Sequence, residues 1–395
     1  MAHVCRSLYV ASGDWFWCVE ASALDADLVA HRLRTTPDGG APGVRLIANG
    51  SLAAAELPGA LDALHLPIVG LEINQGKWTG RPDRPTVDVS VLRNLTELTS
   101  LKANACTLEG SFKHLVDLKL LQSVELIDCC SIVPRALLEL PELTSLDLSY
   151  NNWLGVSKSM RRVLGKLTGL RSLALTNSNV TSTSMLSGLS KLESLDLQQN
   201  YELQLSNSLS ALTSLTFLEL GETGLAAGLP DWFSCLTSLR YLGLDSGEIG
   251  HVPPVLSSLS SLTYLRMSWQ GIGDGDTAEL PTQLKRLELI GNSLTYIPAT
   301  FNALTALSYL NVEYNAVRHG WRSLLQLPLL HTLCVGGTAR GIPASVYRLC
   351  QKNGGCVEVN DDDDDNVSDD NDSATDSLTD TESDYSGCMW SECSE

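Results

Sequence analysis

Phe217, Tyr241, Tyr264, Arg286 and Tyr309 follow one another at intervals of 22 to 24 residues, so a fold repeating at that interval would set them side by side. Four aromatic rings in such a row bury much area at small rotamer cost, which is the chemistry of an interaction hot spot. Trp269 and Tyr314 stand five residues beyond Tyr264 and Tyr309 and widen the row. A second row, two places on, reads Glu125, Asp147, Ala174, Asp196, Glu219 and Gly243, with Asp128, Glu222 and Asp245 flanking it. Like charges at neighbouring positions repel, and a basic segment of a partner would relieve that repulsion. The same residues also admit a plainer role, in which large side chains cover adjacent strands and charged ones keep an exposed surface solvated.

No residues are spaced for bond-making chemistry. The histidines, at positions 3, 31, 65, 114, 251, 319 and 331, fall at no ligand spacing with cysteine or carboxylate. A phosphate-cradling Gly-Lys-Ser/Thr loop, a Gly-x-Ser-x-Gly elbow and a kinase signature are all missing. A non-enzymatic chain with no cofactor and no metal is therefore expected. The 11 cysteines leave at least one unpaired. Most, such as Cys106, Cys235 and Cys334, sit singly among leucines, where a thiol acts as a small apolar group. The spacing of Cys5 with Cys18, and of Cys350 with Cys356, permits capping disulfides without requiring them. Cys388 and Cys393 lack the histidines of a metal site.

These residues must be positioned by repeated elements. The 71 leucines against 5 phenylalanines indicate one packing problem solved many times. Leu143-Thr-Ser-Leu146-Asp-Leu148-Ser-Tyr-Asn151 defines the unit, and its first place recurs at Leu98, Leu121, Leu143, Leu170, Leu192, Leu215, Leu239, Leu262, Leu284, Leu307 and Leu330. Looser copies start at Ala41 and Ile68, which makes about 13 units over residues 41–349. Leu-x-Leu reads as a short strand with alternate side chains inward. Asn151, Asn200, Asn292 and Asn315 stand where the chain leaves the strand, and a buried amide there can satisfy loop backbone groups. Cys106, Cys129 and Thr223 take that place elsewhere. A following apolar stretch such as Ile297-Pro298, Phe301 and Leu304 predicts an outer, partly helical arm.

This pattern resembles the leucine-rich-repeat superfamily. Asn292-Ser-Leu294-Thr-Tyr-Ile297-Pro298 is similar to the intracellular Ras-group repeats, and Leu225-Ala-Ala-Gly228-Leu229-Pro230-Asp-Trp232 is similar to the plant type. Leu8-Tyr9-Val-Ala11-Ser-Gly13-Asp-Trp15 faintly resembles a plant-type amino-terminal cap. The resemblance implies an α/β fold, a solenoid curved as a horseshoe with a parallel sheet on its concave face, and a protein-binding role. The expected organisation is an amino-terminal cap over 1–40, the solenoid, a carboxy-terminal cap over 350–360 and a disordered acidic tail over 361–395.

Charge is uneven along the chain. The tail holds eleven Asp, three Glu and no Lys or Arg, or -14 of the total -19, leaving -5 over the first 360 residues. That balance opposes nucleic-acid binding. Ser373, Ser377, Thr379 and Thr381 each precede an acidic residue by three places and are candidate phosphorylation sites. Trp390 is unexplained by packing in such a tail. Lys158, Arg162 and Lys166, spaced by four, are expected on one helical face. The amino terminus lacks a basic segment followed by a long apolar run, and no stretch of about 18 apolar residues occurs. A cytoplasmic, alternatively nuclear, monomer without a membrane span is the expectation. Two functions follow: a scaffold that binds a protein partner on its concave face, or an acidic chaperone of basic proteins, similar to the acidic leucine-rich nuclear phosphoproteins.

Overall fold

Alternation within each Leu-x-Leu unit produces a strand whose middle residue is buried and whose neighbours are half-exposed, as in Ser145–Asp147, Ser172–Ala174 and Ser194–Asp196. The computed structural model describes residues 3–8, 15–21, 44–49, 68–74, 86–110, 112–129, 135–152, 157–275, 279–336 and 341–360. Sixteen of its strands form one sheet in chain order, and the short pair Thr86–Asp88 and Thr107–Glu109 forms a second. His3–Leu8 and Trp15–Ala21 are antiparallel, with Cys5 opposite Cys18 in the backbone register. Every later neighbour in the long sheet is parallel, from Trp15–Ala21 against Val44–Asn49 to Thr332–Gly336 against Val357–Asn360. Thirteen of the strands, Val44–Asn49 through Thr332–Gly336, belong to the repeats.

One repeat alone exposes its apolar side, and stacking covers it. Leu146, Leu173, Leu195, Leu218, Leu242, Leu265, Leu287, Leu310 and Leu333 fall in one register column and are at most 1% exposed. The arm behind them turns in short 3-10 helices, including Asn207–Ala211, Asp231–Cys235 and Ala299–Ala303. Each ends on a leucine whose N–H returns three residues, as Leu212 does to the Leu209 carbonyl at 2.9 Å. A step of 22 to 24 residues leaves little chain for a longer helix. The 27-residue unit affords an α-helix, Lys158–Leu164, with Lys158 and Arg162 exposed. Lys166 lies past its end, so the expected helical face of three cations has two members.

The asparagines hold successive turns together. Asn200 donates to the Leu197 and Leu175 carbonyls at 2.7 and 2.9 Å and accepts from the Ser178 and Val180 amides at 3.2 and 2.7 Å. Asn151, Asn292 and Asn315 make the same bridges from one repeat to the previous one. Thr223 keeps only the local bond, to the Leu220 carbonyl at 2.6 Å. Gln270 does the work of an asparagine, donating to the Leu244 carbonyl and accepting from the Ile249 amide at 2.9 Å.

The helix Ala344–Lys352 and the strand Val357–Asn360 complete the described chain, so the cap boundary expected at 350 falls inside a helix. Cys350 and Cys356 are free thiols. Residues 361–395, with the candidate phosphorylation sites, lie outside the described residues. Leu218 is 0% exposed. Its replacement by Ala should cost about 2 to 5 kcal/mol, because the stack cannot close over the lost volume. An unchanged urea-unfolding midpoint would contradict its place in the column.

Candidate protein-binding face

The half-exposed residues of each strand share the outward face of the sheet, so the two rows read from the sequence become two adjacent columns. Phe217, Tyr241, Tyr264, Arg286 and Tyr309 are register partners in succession. Phe217 stacks on Tyr241 with ring centroids 4.3 Å apart and planes 7° apart, and Tyr241 meets Tyr264 edge-on at 4.9 Å. The Arg286 guanidinium continues the stack, 5.1 Å from the Tyr264 ring centre and 3.7 Å from that of Tyr309. The expected aromatic row is therefore one contiguous stack, and its rings are partly spent on each other.

The acidic column divides in two. Past Gly243 it continues into Arg266 and then Glu288. Arg266 pairs with Asp245, lies 3.6 Å from both Glu219 and Glu288, and donates to the Tyr241 hydroxyl at 3.0 Å. Tyr241 donates to Glu219 at 2.6 Å, and Tyr264 to Glu288 at 2.7 Å. Burial opposes the Arg266 charge, but Asp245, Tyr241 and Glu219 outweigh it and hold the guanidinium firmly protonated. Burial together with Glu288 pushes the Tyr264 hydroxyl up to about 12, which keeps it a donor. Glu219 leans across its neighbouring strand because Gly243 has no side chain; a Cβ there would strike the carboxylate. Glu219 and Asp245 are thus satisfied within the chain.

The other half differs. Glu125 pairs with Lys102 at 3.0 Å. Asp147 and Asp196 flank Ala174 in register, and among the described residues no cation lies within ion-pair distance of either. Asp147 accepts from the Ser149 amide at 2.8 Å and Asp196 from the Gln198 amide at 2.9 Å. Burial raises both carboxyls above their ordinary range in spite of these bonds, and Asp147 adds to the effect on Asp196. The third-place neighbours here are Ser145, Ser172 and Ser194, small beside the aromatic stack that begins at Phe217.

Each repeat strand from Ser100–Asn104 to Tyr309–Asn311 is left through one residue in the left-handed region. Ala105, Asp128, Tyr150, Asn177, Gln199, Glu222, Ser246, Trp269, Gly291 and Tyr314 occupy this corner, with φ between 46° and 64°. Bulky side chains are uncommon there, at a cost of order 1 to 3 kcal/mol. Trp269 and Tyr314 are nevertheless 52% and 54% exposed, with rings 5.8 Å apart. Between them Gly291 serves twice, adopting φ +64° and leaving room for the indole that lies over it. Tyr150 is 47% exposed and Tyr201, two residues past a corner, 62%.

No family model matches the chain. In fold it is similar to an internalin from Listeria monocytogenes, with a TM-score of 0.59 at 22% identity over 82% of this chain and 92% of that one. A Leptospira interrogans leucine-rich-repeat protein aligns with a TM-score of 0.58 at 19% identity, covering 86% of this chain and 93% of that one. The chain is a leucine-rich-repeat solenoid. Drosophila Toll in its complex with Spatzle shares the fold more loosely, with a TM-score of 0.54 at 14% identity over 82% of this chain and 50% of that one. In sequence, 186 residues are 31% identical to the rat leucine-rich repeat-containing G-protein coupled receptor 5, covering 46% of this chain and 17% of that receptor's length. Among the described residues no helix is long and apolar enough to cross a membrane, and no three His, Cys, Asp or Glu side chains are grouped to hold a metal ion.

Sequence reading alone missed Arg266, Glu288 and Tyr201 on this leucine-rich-repeat face. The first two were within reach, since the acidic column continues past Gly243 into them by the same register; Tyr201 stands off the register and carries no such signal. One consequence concerns Asp196. Its folded-state pKa lies above the unfolded value, so the stability tied to this group is present at low pH and lost as pH rises through the raised pKa. Asp196→Asn keeps the bond from Gln198 and removes the buried charge. The variant should unfold at higher urea than the parent at about pH 7, with the gap shrinking toward about pH 4. A gap of the opposite sign would mean that the carboxylate stabilises the fold.

Proposed function

We propose that this chain is a non-enzymatic scaffold that holds a protein partner against the outward face of its sheet, with the acidic half receiving a basic segment. The observation that carries this reading is the pair Asp147 and Asp196, half-buried carboxylates that form no ion pair with any cation among the described residues. The fold disfavours their charge, and an isosteric amide would keep their hydrogen bonds. A basic side chain from a partner supplies what the chain does for Glu219, Asp245 and Glu288 with its own arginine. Trp269 and Tyr314 add support, since they combine exposure with a backbone conformation that large side chains rarely adopt. In the fold relative Toll the known structure is a complex with Spatzle. Among the described residues Cys235, Cys334, Cys350 and Cys356 are free thiols, which accords with a reducing, cytoplasmic or nuclear setting.

Affinity capture from the native source, followed by binding measurements on the captured protein, tests the reading. Trp269→Ala and Asp196→Asn should each weaken the partner by more than about 1 kcal/mol while the melting temperature holds or rises. Arg162→Glu, on the helix behind the sheet, should leave binding unchanged. If Arg162→Glu matters more than the face substitutions, the partner sits elsewhere. Removing residues 361–395 separates the scaffold from an acidic chaperone: the scaffold retains its partner and the chaperone does not.

A further inference from the structure

The outward face uses one chemical unit repeatedly, a tyrosine hydroxyl bonded to a glutamate. Tyr241 with Glu219 at 2.6 Å receives Arg266, which reaches both the hydroxyl at 3.0 Å and the carboxylate at 3.6 Å. Tyr264 with Glu288 at 2.7 Å receives Arg286, whose Nε donates to the same carboxylate at 2.8 Å while its plane lies near the Tyr264 and Tyr309 rings. A third unit stands at the corners. The Tyr201 hydroxyl donates to Glu222 Oε2 at 3.2 Å, and Gln199 Nε2 donates to Oε1 of the same carboxylate at 3.3 Å. Among the described residues no Lys or Arg forms an ion pair with Glu222.

We infer that Tyr201, Gln199 and Glu222 form a third arginine seat, whose guanidinium comes from an extended basic segment of the partner. The chemistry matches the two seats that the chain fills itself. Each Glu222 oxygen accepts one hydrogen bond and retains a further lone pair, which suits the paired N–H groups of a guanidinium. Tyr201 is 62% exposed, so a ring face is open for a planar cation to stack on. An ammonium group bonds to the carboxylate but cannot stack as a plane, so the seat prefers arginine to lysine. Its position favours a basic occupant too: Gln199 and Tyr201 follow directly from the strand carrying Asp196. The chain's own tail is a poor occupant, since it carries -14 and no Lys or Arg.

This inference rests on the proposed scaffold role, and the test separates the two. Fluorescein-labelled peptides of equal length and charge, one alternating Arg and Gly and the other Lys and Gly, are titrated with the full chain at low salt and followed by anisotropy. The tail attracts both peptides by charge, so the arginine-to-lysine ratio is the readout. The arginine peptide should bind about two- to fivefold tighter, the ratio for one exposed stacked cation. Tyr201→Ala and Glu222→Gln should each bring that ratio to one, Tyr201→Phe should retain part of it, and Asp147→Asn with Asp196→Asn should weaken both peptides alike. Circular dichroism on each variant verifies the fold. Equal affinities for the two peptides, or a preference that survives Tyr201→Ala, overturn the seat, while loss of the captured partner in Trp269→Ala would still support the scaffold. Sedimentation showing a dimer that Glu222→Gln dissociates would make the occupant a second copy and overturn the partner arginine.

Discussion

The stacking of one leucine per repeat in a single register column is the constraint on which everything else depends. A strand of three residues with a 3-10 arm buries nothing by itself, so each repeat is stable only against the next. The column from Leu146 to Leu333 therefore sets which residues point inward, and by period-two alternation which point outward. A slip of one residue in any strand would turn Tyr241 or Asp196 into the core. The outward face, proposed above as the binding surface, is thus placed by side chains buried in the core.

Two different solutions to charge coexist on that face. Around Arg266 the carboxylates of Glu219, Asp245 and Glu288 surround a cation of the chain itself, and tyrosine hydroxyls complete their bonding. Gly243 makes this possible, because the absent side chain lets Glu219 reach across a strand. Around Ala174 the carboxylates of Asp147 and Asp196 accept from backbone amides and form no ion pair among the described residues. The first arrangement stiffens the aromatic half, and the second leaves a surface whose charge the fold disfavours. In the proposed scaffold role, stability and binding pull in opposite directions at Asp147 and Asp196.

The corners follow the same division. A parallel strand must turn sharply to enter the arm, and a left-handed residue accomplishes that turn in every described repeat from Ala105 to Tyr314. Asn177 and Gly291 suit the conformation. Trp269, Tyr150 and Tyr314 do not, and they project rings to solvent from a rigid backbone. Such rings lose little freedom on binding, since the turn has already oriented them.

The sequence by itself determined the repeat, its register and the inward leucines, because a periodic core leaves a periodic signature. It also determined the turn asparagines, the aromatic column, and the acidic column as far as Gly243, since each residue's place in the repeat decides its face. The 3-10 character of the arm was only partly legible, and the single long repeat looked more helical than it is, with Lys166 past the helix end. What only the tertiary structure decided is how residues from different repeats share charge and area. Arg266 and Glu219 are distant in sequence and on different strands, and only the sheet spacing together with the gap at Gly243 brings them together. Tyr201 and Glu222 meet across two corners whose φ values no side-chain pattern announces. Packing in a solenoid is periodic and so can be read locally; the pairing of charges across its rungs depends on the reach of individual side chains, which is a property of the folded surface.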